Sequence, residues 1–191
     1  MRAHHPAYYI PRRGKSTSPL PACLECNPTT WVKDKLGMAR EYPERPVVGI
    51  GGVIIEEGRA LLIRRGSEPL LGHWSIPGGT LEIGESLQQG VTRELLEETS
   101  LEVRVLDVIE VFDRIFPGDP GPDRQARGPR FHYVIVDYLC ERISGEPRAG
   151  GDVTDVAFAA EDELDKFQLT ETATRVLRKA FAMHRERRKI S

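Results

Sequence analysis

"GGTLEIGESLQQGVTRELLEETSL", residues 78–101, carries Arg93-Glu94-Leu95-Leu96-Glu97-Glu98, with three carboxylates in five consecutive positions. Ser86 followed by Gln89 is a capping-box pair and predicts a helix beginning at Ser86. At roughly 100° per residue, Leu87, Val91 and Leu95 form one apolar stripe. Glu94 and Glu98 fall within that stripe or at its edge, with Glu97 further round, all inside an arc of roughly 100°. Like charges three or four apart on a helix cost roughly 0.2–0.5 kcal/mol per pair. An unpaired charge beside the buried side costs more. A merely solvated acidic face belongs on the far side of the helix, so this placement calls for a positive partner. Gly90 lies in the same arc and leaves bare backbone for something bulky to approach. Arg93, one turn before Glu97, can hold it by a charge-assisted hydrogen bond. Three converging oxygen ligands suit a hard divalent cation, and Mg²⁺ prefers carboxylates together with water and substrate phosphates.

Working outward, "PVVGIGGVIIEE" (46–57) and "RALLIRR" (59–65), split at Gly58, read as two strands joined by a tight turn. "GSEPLLGHWSIPGG" (66–79) reads as loop. "LEVRVLDVIEVF" (101–112) and "FHYVIVDYLCERI" (131–143) are rich in β-branched and aromatic residues and alternate in part, as strands do. Between them "PGDPGPDRQARGPR" (117–130) has no periodicity of its own, and connections that long are usually functional. "DVAFAA" (155–160) reads as a short strand. "TETATRVLRKAFAMHRER" (170–187) reads as a helix, with apolar positions at 173, 176, 177, 180 and 181. This order predicts an α/β sandwich, a mixed sheet between helices. Residues 1–43 read as an irregular N-terminal extension and 44–191 as the folded domain.

The bulk composition bounds the classes. The 191 residues are one domain's worth and, at 39% hydrophobic and 29% charged, read as globular. A net charge of −2 offers no overall attraction to nucleic acid or an anionic membrane. No apolar run reaches the ~18 residues that span a bilayer. Three cysteines are too few for a disulfide framework, so a reducing, cytoplasmic compartment is expected. The basic start resembles a transit peptide only faintly, because its prolines oppose the amphipathic helix such a peptide needs.

The spacing across the opening stretch is specific. Gly79, five residues, Glu85, seven residues, Arg93-Glu94-Leu95, one residue, Glu97-Glu98, one residue, Ser100-Leu101 is similar to the signature of the Nudix hydrolases. Only the second glycine of that signature departs, here Ser100. That glycine ends the helix in a left-handed conformation, which a residue bearing a Cβ enters at a cost of ~1 kcal/mol. Some stability is expected to be lost there, and no ligand.

The resemblance implies cleavage of a nucleoside diphosphate linked to a variable group, by attack of water on phosphorus with Mg²⁺ or Mn²⁺. It implies Glu94, Glu97, Glu98 and the Gly78 carbonyl as metal ligands. Arg93 and Glu85 would orient them, and Glu97 or Glu98 would also position water. A separate general base would come from the loop before the last strand, where Asp155 is preferred over Asp152 and Glu161. "YPERPVVGIGG" and "FHYVIVDYLC" look most like the ADP-ribose pyrophosphatases, so ADP-ribose, giving AMP and ribose 5-phosphate, is the expected nucleotide substrate. Nucleoside triphosphate hydrolysis is the alternative within the enzyme class. A catalytically inactive nucleotide sensor is the alternative outside it, and the intact glutamate set argues against that.

Arg124 and Arg127 in the 117–130 connection are candidate contacts to the variable half of the substrate, since the guanidinium fork matches phosphate oxygens. Trp74 is a candidate stacking surface for a base, or an ordinary core aromatic. Cys23 and Cys26 are half of a zinc ribbon at most, because a closed site needs four ligands and only Cys140, His4 and His5 remain to complete it. A homodimer is expected from the resemblance alone.

Overall fold

The computed structural model describes residues 41–118 and 128–190. The N-terminal extension up to residue 40, with Cys23 and Cys26, and Arg124 and Arg127 lie outside the described residues. In chain order the elements are β1 (Val47–Glu56), β2 (Arg59–Arg65), β3 (Trp74–Ser75), β4 (Gly78–Thr80), α1 (Leu87–Thr99), β5 (Glu102–Pro117), β6 (Pro129–Ser144), β7 (Val153–Ala160), a 3-10 turn (Glu161–Phe167) and α2 (Glu171–Ile190). The helix and the main strands fall where the hydrophobic periodicity puts them. The 66–79 segment, read as loop, also contributes β3 and β4. Both flanks of the 117–130 connection are strand, with Pro117 paired to Pro129, so the connection is shorter than its composition implied.

The seven strands form a mixed sheet: β1 and β6 run parallel and the other pairs antiparallel. β1 changes partners along its length. Gly49–Gly51 pair with β4, while Ile55 and Glu56 pair with β2. The β1–β2 turn has Glu57 at φ 49° and Gly58 at φ 76°, the two positive φ values of a type I′ hairpin turn, whose twist suits the flanking strands.

Each face of the sheet is covered by one helix. On one side Val91 and Leu95 of α1 pack with Ile50, Ile54, Val136 and Tyr138. On the other, Val176, Leu177, Ala180 and Phe181 of α2 pack with Val53, Leu62 and Leu139. Each such buried aliphatic contributes about 1.5–3 kcal/mol. Gly90 has a packing reason: a Cβ there would stand 2.4 Å from Ile50 Cδ1, so the approaching group is the sheet itself. Among the described residues no helix is long and apolar enough to cross a membrane.

Candidate active site

The helix that carries the carboxylates starts as its sequence dictates. Ser86 caps α1 by accepting from the Gln89 N–H, and the Gln89 side chain accepts from the Ser86 N–H at 2.9 Å. At the other end Ser100 takes the left-handed conformation, φ 60° and ψ 22°. The helix therefore stops where a glycine would be favoured, and its last carbonyls are met by the 148–150 backbone: Arg148 N–H donates to Thr99 O and Gly150 N–H to Glu98 O.

The three glutamates differ in environment. Glu98 is 5% exposed and accepts a 2.7 Å hydrogen bond from the Gly78 N–H. Burial pushes its carboxyl up to about 8, with the charges of Glu94 and Asp152 adding to the rise, against the Gly78 N–H and Arg65. Glu94 lies against Gly79, where any Cβ would sit 2.4 Å from the Glu94 carboxyl carbon. The glycine pair of β4 is thus a cradle for both carboxylates. Glu97 is exposed and reaches Arg93 only at 3.4 Å.

Arg93 is the hub. Its Nε and one terminal nitrogen fork onto Glu85 at 2.7 and 3.0 Å, and its other nitrogen reaches Glu94 at 2.8 Å. It also donates to the Thr80 carbonyl at 3.1 Å, tying α1 to β4. The Arg93 hydrogen bonds hold the Glu85 carboxyl below the usual range. Glu85, and not Glu97, is the main partner of Arg93.

Among the described residues, no three acidic, histidine or cysteine side chains stand close enough to grip an ion as placed. The hydrogen bonds explain this: Arg93 draws Glu94 one way and Gly78 draws Glu98 another. The donor chemistry nevertheless fits a divalent cation. Glu98 is a buried carboxylate beside Glu94, and a cation relieves both its desolvation and that repulsion.

Beside Gly78 and Gly79 opens a cavity of about 140 Å³, also lined by Arg65, Phe112, Arg114, Tyr133 and Asp137. Arg65 and Arg114 feel each other's charge, and burial lowers the Arg114 pKa from its ordinary value. Arg114 donates to Thr170 Oγ1 at 3.4 Å and lies over the Phe116 ring at 4.9 Å. Neither arginine forms an ion pair among the described residues. These two cations and Asp137 were not singled out from the sequence.

The remaining sequence candidates fall elsewhere. Asp155 is exposed on β7, and its carboxylate accepts from the Val156 N–H. Glu161 pairs with Arg185. Of the three base candidates, Asp152 is the one whose charge acts on Glu98. It also accepts from the Ser67 hydroxyl. Trp74 is partly buried and packs edge-on against Phe167, ring centroids 5.3 Å apart. Cys140 is buried in the sheet, and burial pushes its thiol up to about 12.

The model of the NUDIX domain matches residues 43–180. This chain belongs to the Nudix family. It is 33% identical over 121 residues to an ADP-ribose pyrophosphatase of Methanocaldococcus jannaschii, an alignment covering 63% of this chain and 66% of that one, just under two thirds of its length. It is 30% identical over 131 residues to a MutT-like protein of Streptomyces ambofaciens, covering 68% of this chain and 74% of the relative. The crystal structure of a MutT NUDIX hydrolase from Burkholderia pseudomallei superposes with a TM-score of 0.59 at 31% identity, covering 71% of this chain and 98% of that one. The Nudix domain and these hydrolase relatives support a pyrophosphohydrolase enzyme. Glu85, Arg93, Glu94, Glu97 and Glu98 hold the signature positions, with Ser100 the one departure.

Proposed function

We propose that this Nudix protein hydrolyses the diphosphate bond of a nucleoside diphosphate linked to a second group, with Mg²⁺ or Mn²⁺, and that ADP-ribose is the favoured substrate. The observation that carries this is the juxtaposition at β4. Gly78 and Gly79 hold Glu98 and Glu94 on one side and line, on the other, a cavity with two unpaired arginines. A polyanion bridging a cation at the glutamates and the guanidiniums of Arg65 and Arg114 satisfies both halves.

Glu94, Glu97, Glu98 and the Gly78 carbonyl would hold the cation, which when bound neutralises the diphosphate and lowers the pKa of its water. Arg93, locked by Glu85, keeps Glu94 in place. Water oxygen bonds to one phosphorus, and the anhydride P–O bond breaks. The bridging oxygen leaves on the other phosphate, and the water proton passes to a carboxylate. For ADP-ribose the products are AMP and ribose 5-phosphate. Asp152, within the field of Glu98, is the better-placed separate base, and Asp155, exposed on β7 three residues later, is the alternative. Arg124 and Arg127 remain candidates for contacts to the variable half, the terminal ribose.

Support for ADP-ribose comes from the likeness to the ADP-ribose pyrophosphatase of Methanocaldococcus jannaschii. Relatives named as putative 8-oxo-dGTP diphosphatases, from Mycobacterium tuberculosis and Bacillus subtilis, favour the second reading, nucleoside triphosphate pyrophosphohydrolysis. Turnover of the purified chain on ADP-ribose, dinucleoside polyphosphates and nucleoside triphosphates separates them. Activity is expected to vanish with chelator and return with Mg²⁺ or Mn²⁺. Full turnover in metal-free buffer would sink the assignment.

A further inference from the structure

Asp137 has no role in the reading above, and its surroundings give it one. It sits at the centre of β6 in the row Gly78, Gly51, Asp137, Glu110, which crosses β4, β1, β6 and β5. The residue is 4% exposed, lines the cavity, and has no side-chain hydrogen bond or ion pair among the described residues. Its neighbour Glu110 is held by Lys179 at 2.7 Å and Arg175 at 3.0 Å, so the cations of α2 are committed elsewhere. Space is kept for the Asp137 carboxyl on its other side: a Cβ at Gly51 would stand 2.2 Å from Asp137 Oδ1. The Asp137 oxygens therefore face the cavity and not a protein partner, and burial, with the charge of Glu110 adding to it, pushes the carboxyl up to about 7.

The geometry points to Asp137 as a specificity-determining residue that accepts hydrogen bonds from the N–H edge of a nucleobase seated in this cavity. Phe112, Phe116 and Tyr133 give the cavity aromatic walls, and its volume of about 140 Å³ takes the six-membered ring of a purine, the ring that carries the N–H edge. A cavity of ~150 Å³ takes a benzene. Asp137 lies two strand spacings from Gly78, roughly 9–10 Å, too far to share an ion with Glu98. That span suits a base at one end and its 5′-phosphate at the other, with Arg65 and Arg114 beside the cavity. The adenine amino group and the N1–H and amino group of guanine are the two purine edges a carboxyl can accept from. The inference rests on the cavity being the nucleotide site, but not on which bond is cleaved.

Calorimetric titration with AMP, GMP and ribose 5-phosphate tests it without any turnover. The full chain should bind at least one purine nucleotide. Asp137→Leu should weaken that binding by about tenfold to a hundredfold, as losing a buried hydrogen bond to a charged group does. Affinity for ribose 5-phosphate should stay within about twofold. Asp137→Asn keeps one acceptor and adds a donor, so it should retain AMP and lose GMP, telling the two edges apart. Both variants should melt at or above the wild-type temperature, because no protein partner is lost. Equal weakening of all three ligands, unchanged nucleotide binding in Asp137→Leu, no nucleotide binding by the wild-type chain, or a lowered melting temperature in both variants overturns the assignment. Failure to cleave any diphosphate substrate, with nucleotide binding and its Asp137 dependence intact, would instead defeat only the proposed reaction.

Discussion

Glu98 accepts a 2.7 Å hydrogen bond from the backbone N–H of Gly78, twenty residues earlier in the chain. The contact joins the helix that carries the acids to the strand that borders the cavity. It also holds a buried carboxylate in place beside Glu94, where its charge is disfavoured.

That disfavour has a measurable pH signature. The folded-state value of about 8 exceeds the ordinary 4.5, so the folded chain keeps the Glu98 proton through a range where the unfolded chain has lost it. Below 4.5 both states are protonated and nothing is lost; as pH rises from 4.5 to about 8, stability falls, at up to about 1.4 kcal/mol per unit. In chelator, Glu98→Gln should therefore gain stability over wild type as pH rises through this window, while activity disappears. Mg²⁺ should restore stability to wild type and leave the variant unmoved. Thermal melts at pH 5 and pH 8, with and without metal, check this; parallel curves for the two proteins would remove Glu98 from the metal set.

At the end of the same helix, Ser100 occupies a left-handed conformation, φ 60° and ψ 22°. Ser100→Gly should raise stability by about 1 kcal/mol, less the extra entropy glycine has when unfolded. Turnover should not change, since Ser100 donates no side-chain ligand to the site. Denaturant unfolding gives the first quantity and a rate assay the second. A loss of stability would mean that the serine side chain contributes more than its backbone strain costs.

The helix was legible because its information is local. Ser86 with Gln89 fixes the start, and three-and-four spacing places Leu87, Val91, Leu95 and the acids on known arcs. The β1–β2 hairpin was legible for the same reason, through Gly58. The cavity was not. Asp137 is the one acidic residue in the largely apolar run "FHYVIVDYLC", Arg65 ends β2, and Arg114 lies near the end of β5. Only the parallel β1–β6 pairing and the choice of sheet face bring them together. Trp74 read equally as a base platform or a core aromatic, because its partner, Phe167, lies in a 3-10 turn that has no periodic signal of its own.

Arg114 offers the sharpest test of where phosphate sits. It is half-buried, in the field of Arg65, and pairs with no carboxylate among the described residues. Two guanidiniums facing one cavity repel each other unless an anion lies between them. Arg114→Ala should therefore leave the melting temperature close to wild type, since the repulsion it removes offsets the lost 3.4 Å contact to Thr170 and the stacking over Phe116, and no ion pair is broken. With a diphosphate substrate it should raise KM about tenfold or more, the loss expected for a charge-assisted contact. Arg114→Lys should recover only part of this, because an ammonium cannot reproduce the two parallel N–H bonds of the fork. Metal affinity, read by the Mg²⁺ dependence of the melting temperature, should be the same in all three proteins, because Arg114 is no neighbour of Glu98. A KM that does not move in Arg114→Ala, with Arg65 intact, would place the substrate phosphates outside this cavity.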